Sequence, residues 1–154
     1  MEELLKYAKL AGPILSGFSL LIGLLYFMQN TRRDRVKQTL DYWAKVNQQL
    51  KTEKRELLKD YGDSISVEMA ELILDDKDEQ VRINRVINIY ERLALGINSK
   101  AYDLQTLNKL TGQNIINNYV RFENYIKARR KKLERPFAWN EFQTLKQNLE
   151  KLRK

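Results

Sequence analysis

The chain has 154 residues, with 28 Lys and Arg against 20 Asp and Glu and a formal net charge of +8. It contains neither Cys nor His, which removes the commonest general base, the thiol nucleophile and nearly all zinc sites. Six Gly and two Pro, with no G-x-G-x-x-G or phosphate-loop pattern, point to helix and to no glycine-rich phosphate cradle.

The first element is the run Leu10–Met28, nineteen residues without a charged side chain. Such a run predicts a single N-terminal transmembrane helix. A signal peptide would be shorter and end on small residues, whereas this run ends Tyr26, Phe27, Met28, Gln29. Glu2, Glu3, Lys6 and Lys9 balance before it, while Arg32, Arg33, Arg35 and Lys37 oppose only Asp34 after it. Positive flanks stay inside, so the N-terminus is expected outside and the rest of the chain in the cytoplasm. Gly12, Ser16, Ser19 and Gly23 share one helix face. They form either a self-association stripe or the ordinary small residues of a membrane helix.

Residues 1–29 are thus expected to be an anchor and 30–154 a basic cytoplasmic helical bundle, the whole all-α. The first bundle helix is predicted from about Arg32 to Tyr61, with Val36, Leu40, Trp43, Leu50, Leu57 and Tyr61 on a heptad-like seam. Gly62 ends it, and Asp63, Ser64 or Ser66 caps a second helix over about Val67–Leu74. Asp75, Asp76 and Asp78 read as caps and first-turn charges of a third helix, about Glu79–Leu95. Its buried stripe is Ile83, Val86, Ile87, Tyr90, Leu93, Ala94 and Ile97, and Gly96 marks its end. Asp103 caps a short helix through Leu110, stopped by Thr111-Gly112. A fourth long helix covers about Gln113–Leu133 with Ile115, Tyr119, Phe122, Ile126 and Leu133 inward. Arg135-Pro136 ends it, and a last helix buries Phe142, Leu145, Leu149 and Leu152.

Two segments carry candidate binding chemistry. On the third helix Arg82, Asn84, Arg85, Asn88 and Arg92 form a polar face. Guanidinium groups grip phosphate bidentately, and Asn can read an adenine edge. The alternative is a solvated face on which Asp78 or Glu79 pairs with Arg82. The second segment is Arg121–Arg135, where Lys127, Arg129, Arg130, Lys131 and Lys132 follow Tyr119, Phe122 and Tyr125. It suits a stacked nucleotide, a helix end favourable to cations, or anionic lipid. No carboxylate pair has an acid–base motif. The expectation is no enzyme, no catalytic residue, no metal and no cofactor.

The anchor LAGPILSGFSLLIGLLYFM, the basic exit TRRDRVK and the segment RINRVINIYERLALGIN together resemble the membrane-anchored effectors of type III CRISPR antiviral defence that respond to cyclic tetra-adenylate. The central segment also resembles a helical domain of unknown function in bacterial and prophage membrane proteins. The first resemblance implies a single-pass protein of the bacterial inner membrane whose cytoplasmic domain binds a cyclic oligoadenylate. It implies a homo-oligomer, a tetramer matching the ligand's near four-fold symmetry, and no long nucleic acid as partner. Such a protein would perturb the lipid bilayer through its oligomerised anchor. The other class of function is a prophage-encoded exclusion or interaction protein acting through protein contacts.

Overall fold

The computed structural model describes the backbone of residues 2–154 and the side chains from Gly17 onward. It is all-α: α1 (Glu2–Tyr61), α2 (Val67–Asp75), α3 (Lys77–Asn98), α4 (Leu104–Lys132) and α5 (Asn140–Lys151). Two compact units divide it, Met1–Arg35 and Val36–Lys154, and α1 belongs to both.

The first unit corrects the expected transmembrane helix. Among the described residues no helix is long and apolar enough to cross a membrane. The described apolar run, Gly17 to Met28, ends at Gln29-Asn30-Thr31-Arg32. The large apolar side chains from Phe18 to Met28 are exposed. Of the small-residue stripe, Gly12 and Ser16 lie outside the described side chains, and a Cβ at Gly23 would meet nothing within 4 Å.

In the second unit the caps follow the sequence. Gly62 closes α1 with φ +66°, a left-handed value that an L side chain resists, and its N–H donates to Leu58 O at 3.0 Å. Ser66 Oγ accepts from Met69 N at 3.1 Å to start α2. Asp76 Oδ1 accepts from Asp78 N at 2.9 Å and Glu79 N at 3.1 Å to start α3. Asp103 Oδ1 accepts from Thr106 N at 2.8 Å to start α4. Each satisfies donors that a helix start otherwise leaves orphaned.

The predicted stripe of α3 is buried in full, with Ile89 added. On α4, Ile115, Tyr119, Phe122 and Ile126 are buried, but Leu133 lies just past the helix and is exposed. On α5, Phe142, Leu145 and Leu149 are buried and Leu152 is not. The seam of α1 is set differently from the heptad reading. Thr39, Val46, Leu50 and Leu57 are buried, whereas Leu40 is exposed. Thr39 turns inward because its hydroxyl oxygen accepts from Asp103 N at 2.8 Å.

Two glycines read as helix ends lie inside helices. α3 passes through Gly96 to Asn98, and α4 runs unbroken through Thr111-Gly112. A Cβ on Gly96 would sit 2.2 Å from Cε2 of Tyr102, and one on Gly112 would sit 2.3 Å from Oδ1 of Asn108. Neither glycine terminates its helix; Gly96 leaves room for the Tyr102 ring, while at Gly112 the neighbours are the ends of the Asn108 and Arg153 side chains. Gly96→Ala should therefore lower the melting temperature. Its gain in helix propensity, about 1 kcal/mol, is outweighed by overpacking against Tyr102, about 1–3 kcal/mol. Gly17→Ala, with nothing within 4 Å, should show no loss. Equal melting of both variants and the parent chain would refute the packing role of Gly96.

Candidate functional site

The five predicted residues of α3 do not form one cluster. Arg82 is held by Asp60 at 2.5 Å and Glu79 at 2.7 Å. These carboxylates, Asp60 foremost, push its pKa up. Glu79 also accepts from the Tyr61 hydroxyl at 2.5 Å, and burial together with that bond raises the Tyr61 pKa. Arg82 is thus part of the joint between α1 and α3. Arg85 reaches Glu53 of α1 only at 3.4 Å, and its side chain is 56% exposed. The crevice lined by Glu53, Glu56, Leu57, Arg82 and Arg85 holds about 40 Å³, room for water but not for a nucleotide.

Asn84 and Asn88 turn the other way, toward α4 and α5. Asn84 Oδ1 accepts from the Tyr125 hydroxyl at 2.9 Å, and Asn88 Oδ1 accepts from Trp139 Nε1 at 2.8 Å. One turn earlier Gln80 Oε1 accepts from Arg129 Nη1. Gln80, Asn84 and Asn88, spaced by four, form a ladder along α3. Arg129 also lies 5.7 Å over the Trp139 ring, and Tyr125 packs 6.1 Å from it. Arg92 is exposed on α3 near Tyr42. Burial raises the Tyr42 pKa, Tyr102 adds to the rise, and Arg92 opposes it.

Trp139 was not singled out from sequence. It occupies the N-cap of α5 with φ +56° and no side-chain cap bond. Such a backbone is costly for a bulky residue. The cap comes instead from α3, where Glu91 carboxylate oxygens accept from Phe142 N at 2.7 Å and Glu141 N at 3.3 Å. Burial pushes the Glu91 pKa up against the lowering effect of those two N–H groups. Its proximity to an aromatic-rich loop was the only sequence signal for Trp139.

Within Arg121–Arg135 the cations diverge. Arg121 Nη2 lies 3.7 Å from Asp63, Lys127 pairs with Glu123 at 2.8 Å, and Lys132 pairs with Asp75 at 2.7 Å. Tyr119, Phe122 and Tyr125 are core residues, so they offer no free stacking platform. Lys54 of α1, a polar interruption of the apolar seam in the sequence, has a partner that the sequence does not reveal. Its Nζ donates to Asn114 Oδ1 at 2.9 Å, and that oxygen also accepts from Asn118 Nδ2 at 2.7 Å. Burial, with Arg121 second, lowers the Lys54 pKa to about 8.

The chain belongs to the DUF4760 family, described as a domain of unknown function, whose model matches residues 13–149. Neither a curated protein nor a solved structure matches the chain.

Lys54 makes stability depend on pH. Unfolded, it titrates near its ordinary value of 10.5; folded, it titrates at about 8. Between those values the unfolded chain holds the extra proton, so stability rises with pH. Below about pH 8 the folded chain carries the penalty of a half-buried ammonium. Urea midpoints at pH 7.5 and 9.5 should therefore rise more in the parent chain than in Lys54→Gln. An identical increment in both would show that Lys54 titrates normally.

Proposed function

We propose that the domain from Val36 to Lys154 is a non-catalytic sensor that binds an anionic nucleotide ligand along the outer strip of α3. The observation that carries this reading is the strip itself. Arg85 and Arg92 are the exposed cations of the predicted face, seven residues and so about two turns apart on one side of the helix. Arg85 and Arg92 would meet phosphate oxygens. Arg82, Asn84 and Asn88 take a positioning role, since Asp60 and Glu79, Tyr125 and Trp139 respectively engage them.

The ligand class follows from the resemblance: a cyclic oligoadenylate, cyclic tetra-adenylate first. A single strip is open surface and encloses nothing, so the reading includes a homo-oligomer that presents the strip several times around one ligand. The role is that of an antiviral defence effector acting by conformation. It does not include a membrane-spanning anchor. The competing reading, an interaction protein acting through protein contacts, is favoured by Val67 and Leu72, which α2 leaves exposed.

Calorimetry of the full chain with cyclic tetra-adenylate, linear tetra-adenylate and AMP tests the proposal. Saturable binding of the cyclic ligand is expected, weakening as salt rises. Charge-assisted hydrogen bonds contribute about 1.5–3 kcal/mol each, so Arg85→Ala and Arg92→Ala should each weaken binding about tenfold or more while far-UV circular dichroism is unchanged. Absence of binding, or full affinity in the double variant, rejects the site.

A further inference from the structure

The end of α4 and the loop to α5 are built unlike the rest of the surface. Between residues 127 and 139 stand six cations, Lys127, Arg129, Arg130, Lys131, Lys132 and Arg135, and one carboxylate, Glu134. Lys131 and Arg135 make no ion pair among the described residues. In the same loop Phe137 is 79% exposed and Leu133 45% exposed. A large aromatic so uncovered is not needed by the fold, whose core closes on Phe142 and Trp139 instead.

Beneath the loop is a groove of about 390 Å³ lined by Lys127, Arg130, Lys131, Glu134 and Pro136. Arg130 is fixed there. Its Nε donates to Ala138 O at 2.8 Å and its Nη1 to Gln143 Oε1 at 2.9 Å. Its Nη2 is buried and finds no acceptor in the protein. Arg130 makes no ion pair among the described residues, so its fixed positive charge at the groove wall, with that of the exposed Lys131, favours a phosphate seated there.

We propose that this loop is a docking element for the surface of a bilayer containing anionic phospholipid. The groove takes a headgroup phosphate against Arg130 and Lys131, Arg135 adds attraction to the charged surface, and Phe137 and Leu133 enter the headgroup–acyl boundary. Charge complementarity selects the anionic lipid, and the exposed apolar side chains amid cations select a bilayer over a soluble polyanion. The contact is peripheral and is independent of the nucleotide reading, which uses other residues.

The test uses the full chain carrying Phe137→Trp, a local reporter, with the unsubstituted chain giving the background of Trp43 and Trp139. Vesicles of phosphatidylcholine with phosphatidylglycerol should shift the reporter's emission to the blue, and brominated acyl chains should quench it. Phosphatidylcholine alone should do neither. Each cation near an anionic surface is worth about fivefold in binding, so Lys131→Glu/Arg135→Glu in the reporter chain should weaken the response at least that much. These side chains are exposed and unpaired with acids, so circular dichroism should not change. An unshifted reporter, an equal shift with neutral vesicles, or a shift indifferent to the charge reversal overturns the proposal. Complete displacement by inorganic phosphate would reassign the groove to a soluble anion, and a reporter response to RNA alone would reassign it to nucleic acid.

Discussion

Eight of the 22 residues of α3 are buried, and the need to cover them arranges the rest of the second unit. Burying one such side chain stabilises by about 1.5–3 kcal/mol. Phe142 of α5 meets this helix through Tyr90, stacked at 4.9 Å, and meets α4 through Tyr119, edge-on at 5.2 Å. α3 also supplies, through Glu91, the cap that α5 lacks. One helix therefore provides the apolar centre, a capping group for its neighbour and a polar ladder to α4. Only a narrow strip of it remains for anything outside the fold.

The electrostatics of that strip are graded along its length. At the start of α3, Asp60 and Glu79 surround Arg82 and largely cancel its charge outward. Glu53 reaches Arg85 at a longer distance, and its own side chain is only 18% exposed. Arg92, three turns on, makes no ion pair among the described residues. Free positive charge on this face thus increases toward the C-terminal end of the helix, where the helix dipole is negative and favours cations.

Signals that act within a few residues were legible in the sequence. Ser66 and Asp76 are the caps among the candidates named for α2 and α3, Asp103 starts a helix where expected although that helix runs on to Lys132, and the apolar stripe of α3 is the one its periodicity gives with Ile89 added. Features that depend on distant partners were not. Gly96 and Gly112 look like stops until Tyr102 and Asn108 are seen against them. The heptad on α1 missed Thr39 because its partner, Asp103, is 64 residues away. The polar face of α3 was read as one site, yet Arg82 and Asn84 are drawn apart by Asp60 and Tyr125, residues 22 and 41 positions distant. The apolar N-terminal run was read as a crossing helix from its length and lack of charge, whereas among the described residues no helix is long and apolar enough to cross a membrane.

The tie between Thr39 and Asp103, with that between Lys54 and Asn114 60 residues apart, has a consequence during synthesis. The second half of α1 emerges well before the segments that cover it. At translation rates of about 5–20 residues per second, the delay over 60 residues is roughly 3–12 s. Over much of that interval Val46 and Leu50 await their cover, while Leu57 meets α3 sooner, since Arg82 and Arg85 lie beside it. Lys45, Lys51, Lys54 and Arg55 stand beside and between them along the helix, charges of the kind that disfavour self-association of an apolar nascent segment. The cationic spacing of α1 thus serves the newborn chain as well as the finished one.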